Sequence, residues 1–106
     1  ATTEIYTLSL HDALPIFIWF IATNGKHVVG FLPVERRGKE AIINNYYIGK
    51  DQEEAFALLL VDAIAAFDAD KTLVAVVQVE HQAIFEKHGF TVEKAWKLYV
   101  KMRRDE

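Results

Sequence analysis

A chain of 106 residues, 52% hydrophobic and 25% charged, fits one small domain and has the composition of a folded polypeptide. It has no cysteine, which excludes disulfide scaffolds, thiolate zinc sites and a cysteine nucleophile. With 12 basic against 15 acidic residues the formal net charge is -3, which argues against a general nucleic-acid binder, since that function needs a basic surface to displace counterions.

Taken in chain order, the first segment stands apart. Residues 3–16 (TEIYTLSLHDALPI) resemble the translation of a sequencing adapter. Residues 1–16 are therefore set aside as a non-native extension, His11 and Asp12 carry no functional weight, and the domain is placed at 17–106. The start carries Glu4 rather than a basic region, and no small-residue cleavage site follows the apolar run, so a signal peptide fits poorly. That run, 16–22, falls far short of the roughly 18 residues of a membrane span, and a cytoplasmic protein is expected.

Residues 17–22 (FIWFIA) predict a strand with little alternation, covered on both faces. Asn24 and Gly25 tolerate positive φ and predict a tight hairpin turn. Residues 27–34 (HVVGFLPV) return as a second strand, with a bulge or edge near Pro33. After a solvated turn at 35–39, residues 40–48 (EAIINNYYI) complete a meander as a third strand. The period then changes. Phe56, Leu59, Leu60, Ala63, Ile64 and Phe67 recur at helical spacing over 52–67. Asp51 is the expected N-cap, with Glu54 completing a capping box, and Asp68 and Asp70 close the run. Residues 72–77 (TLVAVV) predict a central strand reached by a crossover, parallel to the third. A shorter helix over 79–88 ends at Gly89 in the left-handed position, with Phe90 folding back on Phe85. Residues 91–102 predict a last strand with Trp96, Leu98, Val100 and Met102 on one face, followed by a charged tail. The order gives an α/β (α+β) mixed sheet, an antiparallel meander followed by helix, strand, helix, strand.

The segment FEKHGF at 85–90 resembles the second conserved block of the GNAT family of acyl-CoA-dependent N-acyltransferases. The NGKHVVGF hairpin at 24–31, the element order and the final strand carrying Tyr99 and Met102 agree with a GNAT-like core. The resemblance spans about Phe17 to Met102 and omits the first strand and the two helices that lid the acceptor site in the family.

The resemblance implies acetyl-CoA as co-substrate and a small-molecule or peptide amine as acceptor. It also implies a pyrophosphate site on free backbone N–H groups at the start of the main helix, where donors and the favourable dipole end coincide. The family's Gln/Arg-x-x-Gly-x-Gly/Ala signature falls on QEEAFA at 52–57. Gln52 and Ala57 match, Ala55 replaces the first glycine, and Phe56 lies between them. Asp51, Glu53 and Glu54 crowd this start with only Lys50 opposite, which equally describes an ordinary charge-stabilised helix. Ile48, Gly49 and Gln78 would edge the crevice for the donor's arm.

Phe85 stands where the family often has a tyrosine general acid, and phenylalanine has no proton to give. Tyr46 and Tyr47 are the alternatives, on opposite strand faces. Glu40 and, less so, Glu35 are candidates for the base. Asn44 and Asn45 are poor strand formers in mid-strand, so one of them is a candidate to line a cleft. His81 and His88 lack ligand spacing with any acidic residue, and no metal is expected.

Two functions follow. One is acyl transfer from acyl-CoA to an amine, with weak activity expected of this chain because the acceptor-side lid is missing. The other is a non-catalytic GNAT-like interaction or dimerisation module, with a homodimer among its forms. Neither involves nucleic acid or a membrane.

Overall fold

The structure, a computed structural model, describes residues 3–9, 17–67 and 72–105. His11, Asp12, Asp68 and Asp70 lie outside the described residues. Strands β1 (Thr3–Ser9), β2 (Phe17–Asn24), β3 (His27–Arg37), β4 (Glu40–Ile43) and β5 (Tyr47–Ile48) precede helix α1 (Glu53–Phe67). Strand β6 (Thr72–Gln78), a 3-10 turn (Val79–His81), helix α2 (Gln82–Glu86) and strands β7 (Thr91–Ala95) and β8 (Tyr99–Arg104) follow. Among the described residues all strands join one 8-stranded mixed sheet in the order β1-β2-β3-β4-β6-β8-β7, with β5 paired on β3 beside β4.

The segment set apart in the sequence contributes an edge strand. β1 pairs antiparallel with β2 from Thr3↔Asn24 to Ser9↔Ile18, and Ile5 packs against the core. β2 alternates more than its composition promises. Ile18, Phe20 and Ala22 are buried, whereas Trp19 and Ile21 are only half-buried. On that second face Trp19 stacks with Phe31, ring centroids 5.7 Å apart. The hairpin to β3 turns at Gly25 (φ 65), as expected.

Of the bulge or edge expected near Pro33, the bulge lies elsewhere, between Ala22 and Thr23. β3 pairs with β5 at Gly30 and Phe31 and with β4 from Val34. Pro33 falls in the gap between them, where a residue without an N–H breaks neither ladder. β3 also runs on to Arg37, so the next turn is shorter than expected and centres on Gly38 (φ 56).

Helix α1 packs over β2, β3 and β6. Its stripe is the predicted one: Phe56, Leu59, Leu60, Ala63 and Phe67 are buried, and Ile64 packs at the core's margin. Each large side chain buried this way contributes about 1.5–3 kcal/mol. The chain then crosses over, and β6 pairs parallel with β4 from Glu40↔Thr72 to Ile43↔Ala75. On its other side β6 pairs antiparallel with β8.

The helix expected at 79–88 is shorter, a 3-10 turn leading into α2. Its stop is as read. Gly89 (φ 91) is left-handed, the Phe90 N–H bonds the Phe85 carbonyl at 3.1 Å, and the Gly89 N–H bonds that of Glu86 at 3.1 Å. The Phe85 and Phe90 rings meet edge to face at 5.3 Å.

The single last strand is a hairpin instead. The Trp96 N–H bonds the Tyr99 carbonyl at 2.8 Å, closing a turn through Lys97 and Leu98. Trp96 and Leu98 are therefore exposed, while Val100 and Met102 alone are buried. Arg103 and Arg104, expected in a tail, are the end of β8.

Candidate functional site

The third strand expected at 40–48 is broken, and the break makes the site. β4 and β6 part after Ile43↔Ala75. Asn45 takes a left-handed backbone (φ 58), which asparagine tolerates better than most side chains, and its N–H bonds the Asn44 side-chain Oδ1 at 2.9 Å. The chain then swings to β3, pairing Phe31↔Tyr47 and Gly30↔Ile48. β6 meanwhile continues along β8 to Gln78↔Tyr99. The diverging segments leave a cavity of about 240 Å³ lined by Asn44, Asn45, Tyr46, Val76, Gln78 and Tyr99.

Tyr46 reaches across this crevice. Its hydroxyl accepts the backbone N–H of Gln78 at 2.9 Å and lies 2.8 Å from Nδ1 of His81. With the imidazole neutral and its proton on Nε2, the phenol donates to Nδ1. The ring sits 5.2 Å from that of Phe56 and 5.7 Å from that of Phe85. Burial pushes the phenol's pKa up to about 12; the Gln78 N–H acts the other way, and the charges of Glu80 and Tyr99 add to the rise.

A raised pKa means the folded state holds the proton more tightly. The resulting stabilisation is present below about pH 10 and is lost as pH rises toward about 12. Replacing Tyr46 by Phe should remove the last tyrosine step from a titration followed by absorbance at high pH. It should also flatten the fall in stability over the same interval. An unchanged titration would show that Tyr46 is not the buried phenol.

The first turn of α1 packs beside the crevice through Phe56 and Tyr46. The Gln52 N–H bonds the Gly49 carbonyl at 3.0 Å, and the Phe56 N–H bonds that of Gln52 at 3.0 Å. Gln52 is therefore the cap. Asp51 was expected in that role, but its backbone is left-handed (φ 58), whereas an N-cap is extended. The N–H groups of Glu53, Glu54 and Ala55 precede the helical ladder. Ala55 is only 5% exposed, so the accessible donors belong to Glu53 and Glu54. The carboxylates of Asp51, Glu53 and Glu54 and the ammonium of Lys50 are on exposed residues around them.

Of the residues singled out in the sequence, Asn44, Asn45, Tyr46 and Gln78 line the crevice, and Ile48, Gly49 and Gln52 lie on the segment that leads from it into α1. Ala57 is half-buried one turn further along α1. Phe56 and Phe85 are 0% exposed and pack against the Tyr46 ring, so neither is an open contact surface. Glu40 begins β4, about 10 Å of strand from Ile43, and pairs with Arg103 at 3.0 Å. Glu35 pairs with Arg37 at 3.0 Å. Tyr47 stacks on Phe31 at 5.4 Å, on the sheet face opposite Tyr46. His81 enters as a partner of Tyr46, and His88 Nδ1 meets the Ile84 carbonyl at 2.8 Å.

Sequence reasoning missed Glu80 and the facing side chain of Tyr99. The only local signal was their position beside Gln78 and at the start of β8. Among the described residues no cluster of side chains could hold a metal ion, and no helix is long and apolar enough to cross a membrane.

A parallel pair that splays beside a helix start, flanked by an antiparallel meander and a terminal hairpin, defines a mixed α/β fold of GNAT type. No family model matches the sequence, and no curated protein is matched. Solved structures are. The PaiA N-acetyltransferase of Thermoplasma acidophilum, in complex with coenzyme A, superposes with a TM-score of 0.72 at 15% identity over 85% of this chain and 61% of that one. ElaA of Escherichia coli gives 0.74 at 12% identity, over 84% of this chain and 68% of that one. An acyl-CoA N-acyltransferase of Pseudomonas aeruginosa gives 0.67 at 16% identity, over 83% and 68%.

Proposed function

We propose that the chain is the donor-binding core of an acyl-CoA-dependent N-acyltransferase. The observation that carries this reading is the parting of β4 and β6 after Ile43↔Ala75, with Phe56 of the first turn of α1 packed 5.2 Å from the Tyr46 ring that lines the gap. The coenzyme A held by the structurally similar PaiA enzyme supports the same ligand class. The backbone frame fits such a donor. The carboxylates at the helix start oppose its phosphates and weaken the site rather than close it.

An acyl-CoA supplies an acyl group on a thioester, whose transfer to an amine forms an amide and releases a thiol. In this chain the N–H groups of Glu53 and Glu54 would meet the pyrophosphate, and Ile48, Gly49 and Gln78 would border the arm. Tyr46 keeps its proton at neutral pH and would offer it to the crevice by turning its O–H away from His81. The Gln78 N–H stabilises the phenolate that a proton transfer would leave. This places a hydroxyl beside Phe85, whose own ring has none.

Calorimetry and amide shifts with acetyl-CoA test the reading. Saturable binding should move Ile48, residues 52–57 and Gln78. No heat and no shifts at millimolar ligand would overturn it. Charge reversal sharpens the test. A unit charge near 4 Å is worth about 1 kcal/mol in water, so Glu53→Lys with Glu54→Lys should tighten binding about tenfold or more at low salt. That gain should shrink at high salt.

A second reading, a non-catalytic module that pairs with its own copy, is favoured by the edge strand β7. All five of its residues are exposed, Val92 at 41%, and Trp96 beyond it is 47% exposed. A concentration-dependent dimer in sedimentation, abolished by Trp96→Lys, would support this reading; a monomer throughout would remove it.

A further inference from the structure

We infer that the open pocket at the end of β6 is the acceptor subsite, and that it takes a monoamine with an apolar, alkyl or aryl body. This pocket has a volume of about 590 Å³ and is lined by Gln78, Val79, Glu80, Leu98 and Tyr99. That size suits a small organic molecule. Its walls are fixed to one another, because the Val79 N–H bonds the Leu98 carbonyl at 3.1 Å and Gln78 pairs with Tyr99 in the sheet.

Two features set the ligand's chemistry. Val79, Leu98 and Tyr99 are 44%, 68% and 45% exposed, an apolar lining concentrated where β6 ends and β8 begins. Glu80 is exposed and has no hydrogen bond or ion pair among the described residues. It nevertheless lies close enough to Tyr46 for its charge to act on the phenol, as does Tyr99. The pocket thus presents one unpaired carboxylate beside an apolar wall. A single ammonium on an apolar body satisfies both, whereas an anionic ligand is repelled and a neutral one gains at most a hydrogen bond from Glu80 without the charge attraction.

The pocket also communicates with the crevice. Gln78 and Tyr99 line both cavities, and Tyr46, on the crevice side, accepts the Gln78 N–H. A bound amine is therefore adjacent to the hydroxyl assigned above to proton transfer. Its role as acceptor rests on the acyl-transfer reading, but its binding does not.

The test is an amide-shift titration of the free protein with 2-phenylethylamine, 2-phenylethanol and ethanolamine. The aryl amine should bind best and move Glu80, Leu98 and Tyr99. Glu80→Gln should weaken it about fivefold, the scale of one partly screened ion pair, and leave 2-phenylethanol unchanged. Leu98→Ala, at a site too exposed to matter for folding, should weaken both aryl ligands and not ethanolamine. Equal binding of the amine and the alcohol, no effect of Glu80→Gln, or shifts confined to other residues would overturn the assignment. Acetyl-CoA is titrated separately. Amine binding without acetyl-CoA binding would keep the pocket and remove the acyl-transfer reading, and the reverse would remove the pocket alone.

Discussion

Replacing Phe56 by alanine is expected to lower the folding stability by about 3–5 kcal/mol, the range for truncating a buried phenylalanine. Phe56 is 0% exposed and sits in the first turn of α1. Its ring lies 5.2 Å from that of Tyr46 and 5.9 Å from that of Phe85. Three separate elements meet on it, and none is free to collapse into the space it leaves. Tyr46 is tied by its hydroxyl to Gln78, and Phe85 is held by Phe90. The upper part of the range is therefore expected. Leu58, on the same helix but 51% exposed, should tolerate alanine within about 0.5 kcal/mol.

The Phe56 change should also be felt in the crevice. Tyr46 owes its raised pKa first to burial, so removing one wall should bring the phenol down from about 12 toward its ordinary value of 10.0. Denaturant unfolding measures the first effect through the midpoint at constant slope, and absorbance titration the second. A loss under about 1 kcal/mol would mean that this ring cluster is not a packed unit.

The same cluster marks how far the sequence could be read. Helical spacing from Phe56 to Phe67 identified the buried face of α1, because a long periodic segment leaves little choice of orientation. Gly89 and Phe90 identified a helix stop, because the left-handed position and the fold-back contact are both local. The crevice itself was obscured. Residues 40–48 are dominated by aliphatic and aromatic side chains, so they read as one strand, and the turn at Asn45 depends on β3 and β6 competing for that segment. Only the mid-strand asparagines hinted at it. The contact between Tyr46 and His81 spans 35 residues, and no local pattern encodes it. Trp96 and Leu98 misled for the opposite reason. Their alternation with Val100 and Met102 is that of a strand face, but the chain reverses between them.

Gly49 should be the least replaceable position of the loop that carries the crevice into α1. A Cβ placed there would stand 2.7 Å from the Val29 carbonyl oxygen and 3.2 Å from Cγ of Gln52. The Gln52 side chain could yield, but the carbonyl belongs to a paired strand and accepts the Gly49 N–H at 2.8 Å. Relief therefore means breaking that bond or moving β3. Gly49→Ala is expected to cost about 2–4 kcal/mol, overpacking plus a lost hydrogen bond. Gly25→Ala gives the contrast. Nothing lies within 4 Å of its Cβ, so only the positive φ of 65 is penalised, at about 1–2 kcal/mol. The two variants should differ in function as well. Gly25 is far along the hairpin and should leave acetyl-CoA binding unchanged once the protein is folded. Gly49 joins Ile48 to the cap at Gln52, so displacing it moves the helix start away from the gap between β4 and β6. Weakened acetyl-CoA binding in folded Gly49→Ala, measured by calorimetry beside unchanged binding in Gly25→Ala, is the expected result. Equal stability losses and equal affinities would show that the loop's close approach to Val29 does not position the site.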